Sequence, residues 1–113
     1  MLTNKTHSDF NKWLHSQDKE RYFIFYKNNK TSAFFFDMPL SMKYGVYQDF
    51  FAFKGIELRC EIGRNVKTNE PDGYDWSVIT YSKNGYGGKS GYADTSEEGR
   101  AKSLEVANEM YNL

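Results

Sequence analysis

The chain has 113 residues and a formal net charge of zero, and its length is typical of one domain, residues 1–113. A balanced charge argues against a protein that acts mainly by neutralising phosphates, which shows a basic excess, and against a DNA mimic, which shows an acidic one. Aromatic residues make up 18% of the sequence. This surplus indicates a core filled by large rings or, alternatively, surface rings that grip a partner.

The first half of the chain predicts a helix, a hairpin and a second helix. An apolar stripe at helical spacing predicts the first helix over 7–17. Aromatic and β-branched runs over 22–26 and 31–36, on either side of Asn28-Asn29, predict an antiparallel hairpin. Because both of its faces are apolar, we expect it to be covered on both sides, by its own helices or by another molecule. The second helix is predicted over 42–53.

Three strands are predicted in the second half. Alternation of apolar and charged residues predicts a half-buried strand over 56–62. Pro71-Asp72-Gly73 is expected to turn the chain into a strand over 76–81. Asn84-Gly85 is the strongest hairpin turn in the sequence and leads into a strand over 87–93.

A closing helix completes the predicted fold. Overlapping capping boxes that start at Asp94 and Thr95 predict a helix over 96–111, with acidic residues in its first turn, where the helix dipole favours them. The element order is therefore α-β-β-α-β-β-β-α. Short turns between consecutive strands favour an α+β fold, with an antiparallel sheet of about five strands and helices packed against it.

Motifs for catalysis and metal chemistry are incomplete in this sequence. Gly87-Gly88-Lys89-Ser90 is similar to the end of a phosphate-binding loop, but Lys83 stands where that motif needs a glycine, and no helix follows. His7 and His15 are eight residues apart, too far to bind one metal from adjacent helical turns. Cys60 lies on the apolar face of its strand, which is typical of a buried, inert thiol. We therefore expect no enzyme, no cofactor and no metal.

The cysteine content and the apolar patterning predict a location. Cys60 is the only cysteine, which excludes an internal disulfide and fits a reducing compartment. The N-terminus is polar, without the apolar core of a signal peptide, and no apolar run has the length of a membrane span. We expect a cytoplasmic protein that does not enter a membrane.

The predicted order α-β-β-β-α from Tyr44 to the end resembles the double-stranded-RNA-binding domain in element order and length. The resemblance implies a nucleic-acid-binding module, which is our alternative function. Where that family carries a Lys-Lys-x-x-Lys cluster at the start of its last helix, this chain has Ser96-Glu97-Glu98-Gly99-Arg100. Acidic residues in place of basic ones disfavour RNA phosphate.

A second resemblance concerns about 25 residues. Tyr44-Gly45-Val46-Tyr47-Gln48-Asp49-Phe50-Phe51, followed by Gly55-Ile56 and by the closing run over 97–112, resembles small accessory proteins of phages and mobile elements. That resemblance implies an accessory role, the inhibition of a host or defence protein by binding. Together with the absence of a catalytic set, it predicts a non-enzymatic protein-binding module with a protein partner.

The second hairpin carries the candidate binding residues. The candidate partner-binding residues are Lys83, Tyr86, Lys89 and Tyr92. With Asn84-Gly85 as the turn, Tyr86 and the two lysines lie at or near its tip, and binding residues are often carried on such loops. Alternatively, the tyrosine folds back over the sheet edge and the lysines keep that edge soluble. If binding lies elsewhere, the aromatic hairpin over 22–36 is the next candidate.

Overall fold

The computed structural model describes residues 2–17, 26–27, 30–31, 33–82 and 85–113. These residues form an α+β fold. Its helices are α1 (Asn4–Ser16), α2 (Ala33–Asp37), α3 (Leu40–Phe53) and α4 (Ser96–Tyr111). Its strands are β1 (Tyr26–Lys27), β2 (Lys30–Thr31), β3 (Ile56–Arg64), β4 (Pro71–Ser82) and β5 (Gly85–Ala93).

The three long strands form one antiparallel sheet in the order β3-β4-β5. Side chains alternate between the faces of a sheet, so the register divides them into two sets. One face carries Ile56, Leu58, Trp76 and Val78, which are buried where α3 and α4 pack on the sheet. The opposite set, which we call the open face, comprises Glu57, Arg59 and Glu61 on β3, Asp75, Ser77, Ile79 and Tyr81 on β4, and positions 86, 88, 90 and 92 on β5.

Aromatic rings fill the core beside the sheet. Phe50 is fully buried and its ring centroid lies 5.3 Å from that of Phe10 and 5.6 Å from that of Trp13. Phe35, from the short helix α2, is also fully buried and packs edge-on against Tyr47, at 5.6 Å. Edge-to-face pairs of this kind add specific attraction to the hydrophobic gain. Much of the aromatic surplus therefore belongs to the core.

The start of α1 is held by the end of α4. The Thr6 backbone N–H and its Oγ1 hydroxyl both donate to Asn112 Oδ1, at 3.0 and 2.8 Å. The Thr3 N–H donates to Asn108 Oδ1 at 2.9 Å. Helix N-terminal N–H groups need an acceptor from outside the helix, and here a residue from the far end of the chain supplies it. The helix consequently begins at Asn4, three residues before the predicted start.

The predicted hairpin over 22–36 is partly wrong. β1 and β2 do pair on either side of Asn28-Asn29, as an antiparallel ladder of two residues per strand. The predicted strand over 31–36 fails after β2, because residues 33–37 form α2 and Phe35 turns into the core. An aromatic run that alternates as a strand can also supply one side of a short helix when the core accepts its ring. Positions 22–25 lie outside the described residues.

The single sheet of about five strands is not confirmed. Among the described residues, three strands form one sheet and the short β1-β2 pair forms another, and α2 adds a helix to the predicted order. Pro71-Asp72-Gly73, predicted as a turn, forms the first part of β4. The chain turns before it, where the Asn65 N–H donates to the Glu70 carbonyl at 2.9 Å.

The closing helix is confirmed over residues 96–111. Of the two predicted caps, Thr95 is used: its Oγ1 accepts from the Glu98 N–H at 3.1 Å. Leu104 and Ala107 are buried, as predicted, while Lys102 is exposed on the opposite side. Among the described residues, no helix has both the length and the apolarity needed to cross a membrane.

Candidate functional site

The structure spreads the predicted binding residues along β5 instead of clustering them at a hairpin tip. Tyr86 lies opposite Tyr81, inside the β4-β5 ladder. Lys89 is in the middle of the strand and Tyr92 is near its far end. Lys83 lies outside the described residues.

The predicted turn is also displaced. Gly85, expected at the second turn position, pairs with Ser82 and is therefore the first residue of the ladder. Its φ of +122° is readily available to glycine alone, which explains why the sequence carries a glycine there. The strand therefore begins two residues earlier than predicted.

The register also divides the predicted residues between the two faces of the sheet. Positions 86 and 92 belong to the open face, together with Tyr81. Lys89 lies opposite Val78 and belongs to the helix-covered face. The structure thus brings together the tyrosine positions and separates them from Lys89.

The open face contains a shallow depression of about 430 Å³ across the three strands. Its lining includes Ser77 and Ser90, small residues that keep the centre low, and Arg59 from β3 on one side. Tyr92 lines its other end. A second depression of about 300 Å³ continues over Ser77 and Ile79 toward Gly88. The open face is therefore a shelf of small residues bordered by larger ones.

Tyr92 is a half-exposed ring held in place from one side. It is 56% exposed, and its ring lies so close to Gly73 that a Cβ at that glycine would overlap it. Gly73 has a φ of +62°, so both its backbone and its neighbour require glycine. The pKa of the Tyr92 phenol is raised, first by partial removal from water and then by the carboxylates of Asp72, Asp94 and Asp75. Acidic groups therefore surround the ring.

Tyr81, which sequence reasoning missed as a site residue, stands at the other end of the shelf. It is 56% exposed, and its hydroxyl donates to Glu57 Oε2 at 2.7 Å. Arg59 donates from Nε to Glu57 Oε1 at 2.8 Å. The pKa of the Glu57 carboxyl is lowered, chiefly by the hydrogen bond from Tyr81 and then by that from Arg59. The sequence alternation over 56–62 predicts that Glu57 and Arg59 share a solvated face. The β3-β4 register is needed to show that Tyr81 lies on the same face.

The remaining chemical groups are the Cys60 thiol and the side chains of the types that bind metals. Cys60 is partly buried, its Sγ donates to the Ser96 carbonyl at 3.8 Å, and burial raises the pKa of its thiol. A raised pKa keeps the sulfur in the poorly nucleophilic thiol form. Within the described ranges, no three His, Cys, Asp or Glu side chains lie where they could share a metal ion.

Comparison with known proteins adds no relative. No family model, no curated protein and no solved structure matches this chain. The resemblances to the double-stranded-RNA-binding domain and to phage accessory proteins therefore stay predictions. Function has to be inferred from the geometry of the site.

Proposed function

We propose that this chain is a non-enzymatic protein-binding accessory module that uses the open face of its sheet. The observation that carries the proposal is the pair of half-exposed tyrosines, Tyr81 and Tyr92, at the two ends of a shelf of small residues. Tyr81 lies opposite position 86 of β5, and position 86 is six residues before Tyr92. The rise per residue of a strand therefore separates the two tyrosines by roughly 20 Å. Two rings at that separation can contact the same surface of a protein partner.

Both rings are held before any partner arrives. Tyr81 is tethered by its hydrogen bond to Glu57, and Tyr92 rests on Gly73. A side chain that is already restrained loses less conformational entropy on binding, and tyrosine is among the residues that most often anchor interfaces. The open face is therefore suited to binding a folded surface without a large ordering cost.

The charge of the open face favours a protein partner over nucleic acid. Glu57, Glu61 and Asp75 are on this face together with a single described cation, Arg59, which is paired with Glu57 at 2.7 Å. Phosphates would meet a net negative surface there, whereas basic side chains of a protein would be attracted.

Within this class, we infer an inhibitor of a host or defence protein that acts in the cytoplasm. The support is the likeness of residues 44–56 and 97–112 to small phage accessory proteins. The free thiol of Cys60 is compatible with a reducing compartment.

The alternative is a nucleic-acid-binding module. Exposed tyrosines on an open sheet are also what single-stranded nucleic acid uses as stacking platforms. The acidic balance of the open face weighs against it, as do Glu97 and Glu98 in the first turn of α4.

A capture experiment separates the two functions. The tagged chain is incubated with a lysate of the organism that carries this sequence, with and without nuclease, and the captured protein is identified, purified and titrated back. We expect a protein whose capture survives nuclease and weakens little at moderate salt. Capture that disappears with nuclease, or that falls steeply with salt, would establish the alternative.

Two double variants locate the site. Tyr81→Ala with Tyr92→Ala should weaken binding by about tenfold or more while the melting temperature changes little, because both rings are half exposed. Lys12→Ala with Glu109→Ala, at exposed positions of α1 and α4, is the control and should bind like the wild type. If the tyrosine variant binds normally and Lys83→Ala with Tyr86→Ala and Lys89→Ala does not, the loop hypothesis is right and the open face is not the site.

A further inference from the structure

The outer edge of β5 has the hydrogen-bonding pattern of a strand that lacks a neighbour. The Tyr81 N–H donates to the Gly55 carbonyl at 3.1 Å, so the backbone groups of Tyr81 point toward β3. Backbone groups alternate from side to side along a strand, so every second residue of β5 points its N–H and C=O away from β4. These residues are Tyr86, Gly88, Ser90 and Tyr92. Within the described part of the chain, no strand pairs with this edge.

A side-chain hydrogen bond supports this assignment of directions. Thr80 Oγ1 on β4 donates to the Gly87 carbonyl at 3.2 Å, so Gly87 points inward, as the alternation requires. The inward set keeps the ladder to β4, and the outward set is not needed for it. A second strand can therefore pair with β5 without disturbing the existing sheet.

Nothing on β5 itself blocks such pairing. The strand contains no proline, and its register with β4 runs from Gly85 to Ala93 without a bulge. Prolines, bulges and several charges are the usual means by which proteins protect sheet edges. Lys89 is the one charged residue of this strand, and its backbone groups point inward.

A recess lies beside this edge, between β5 and α4. It has a volume of about 330 Å³, and its lining includes Gly91, Trp76, Glu98 and Lys102. Trp76 is 7% exposed, and its indole N–H makes no hydrogen bond with any described residue. Every fully buried polar side-chain atom of the described residues has a hydrogen-bond partner. Since the indole N–H of Trp76 has none, it is not fully buried and can be reached from the recess. Together with the Lys102 ammonium, it offers two donors to an incoming acceptor.

We propose that β5 pairs with an extended segment of a partner protein, which becomes the fourth strand of the sheet. Main-chain hydrogen bonds to the outward set provide the affinity, and a hydrogen-bond-accepting side chain of the segment enters the recess and provides the specificity. Alternate side chains of the added strand then extend the open face beside Tyr92. This inference rests on the proposed protein-binding function and specifies how the partner binds.

A second copy of this chain fits the edge less well. Lys89 is the middle residue of β5. If two copies of β5 paired antiparallel about a two-fold axis near residues 88 to 90, the two Lys89 side chains would lie on the same face of the sheet. They would be directly opposite each other or two residues apart along the ladder. Like charges at that distance destabilise a ladder. Self-pairing would also set glycines against glycines, since Gly85, Gly87, Gly88 and Gly91 make up four of the nine residues. A different chain with large side chains has neither disadvantage.

The test uses short linear peptides selected against the wild-type chain from a displayed random library and then synthesised. They should protect the backbone amides of the outward set from hydrogen exchange. Ser90→Pro removes one outward N–H and places a ring on the edge, so it should weaken peptide binding by about tenfold or more. Gly87→Ala, at a residue whose backbone groups point inward and where a Cβ has room, should bind normally. Lys102→Met should weaken binding by a few-fold, because one donor to the recess is lost.

A second readout does not depend on the folding of a variant. Two versions of a selected peptide are compared, one methylated on the odd-numbered backbone nitrogens and one on the even-numbered ones. Only one of the two sets of N–H groups faces β5, so one version should lose binding and the other should keep it. Equal tolerance of both methylation patterns, protection elsewhere on the chain, or the absence of any selected peptide would overturn the proposal. Protection of the outward amides by a concentration-dependent dimer, without peptide, would also overturn it, because the occupant would then be a second copy.

Failure of this inference is distinguishable from failure of the proposed function. If the captured protein binds Ser90→Pro as tightly as the wild type but loses the Tyr81→Ala and Tyr92→Ala variant, protein binding stands and strand addition is wrong. If both variants bind normally, neither the open face nor the edge is the site.

Discussion

The β3 edge and the β5 edge belong to the same three-stranded sheet, but among the residues that the structure describes only the β3 edge is shielded by its own chain. On β3, the Gln48 side chain from α3 donates to the Leu58 carbonyl at 3.0 Å, and the register shifts after Ile62. β3 also carries four charged residues, whereas β5 has Lys89 alone. Among the described residues, the β5 edge therefore lacks the protections that the β3 edge has.

The packing of α4 strengthens the contrast. Gly99, in the first turn of α4, lies so near β3 that a Cβ there would come within 2.6 Å of Cys60 Sγ. The helix can therefore lie close on the β3 side of the sheet. On the β5 side the recess lined by Glu98 and Lys102 remains. The two halves differ in how closely the same helix covers them.

The largest expected effect concerns the glycines of the open edge. A Cβ at Gly88 would overlap the Val78 carbonyl oxygen, whereas a Cβ at Gly87 would meet nothing nearer than Thr80 Oγ1 at 3.8 Å. We expect Gly88→Ala to lower the free energy of unfolding by about 2–3 kcal/mol, because the β4-β5 ladder must shift. Gly87→Ala, one residue away, should be nearly neutral. Urea unfolding measures the free energies of both variants. Equal effects would show that the close approach of Gly88 to the Val78 carbonyl does not require a glycine there.

The second prediction concerns pH and a buried tyrosine of α3, Tyr47. Burial raises the pKa of Tyr47, on α3, from 10.0 to about 12. The folded chain therefore keeps this phenol protonated where the unfolded chain has released the proton, so its contribution is complete below pH 10.0 and is lost as pH rises through about 12. The full loss is about 2–3 kcal/mol.

Tyr47→Phe isolates that contribution. Its free energy of unfolding should fall less steeply than that of the wild type between about pH 10 and pH 11.5. Part of the slope should remain, because burial and the hydrogen bond to Asp9 also raise the pKa of Tyr111 to about 12. Identical slopes in the variant and the wild type would mean that the Tyr47 phenol does not contribute to the loss of stability at high pH.

The smallest expected effect tests the shield of the β3 edge. Gln48→Ala removes the donor to the Leu58 carbonyl and should cost about 1 kcal/mol of unfolding free energy. Met42→Ala, at a residue of α3 that is 61% exposed, is the matched control and should be neutral within about 0.5 kcal/mol. If the two variants unfold alike, the hydrogen bond from Gln48 does not stabilise the β3 edge.

Local signals in the sequence were sufficient for the elements that are stabilised locally. The closing helix followed from its own cap at Thr95 and from an apolar stripe at helical spacing. The strands over 56–62 and 76–81 followed from alternation and β-branched content, since one face of each is buried. These features depend on neighbouring residues, so one sequence could predict them.

Tertiary structure alone decided the early start of α1, the short helix α2 and the layout of the candidate site. The N–H of Thr6 is capped by Asn112, more than a hundred residues away, and no local pattern encodes that acceptor. Phe35 is helical because the core takes its ring beside Phe10 and Tyr47. The β4-β5 register joins Tyr81 to Tyr92 on one face and removes Lys89 to the other. A register depends on how two strands meet in space, and a shift of one residue would move every side chain of a strand to the opposite face of the sheet. The sequence therefore predicted the strands but not which of their side chains share the site.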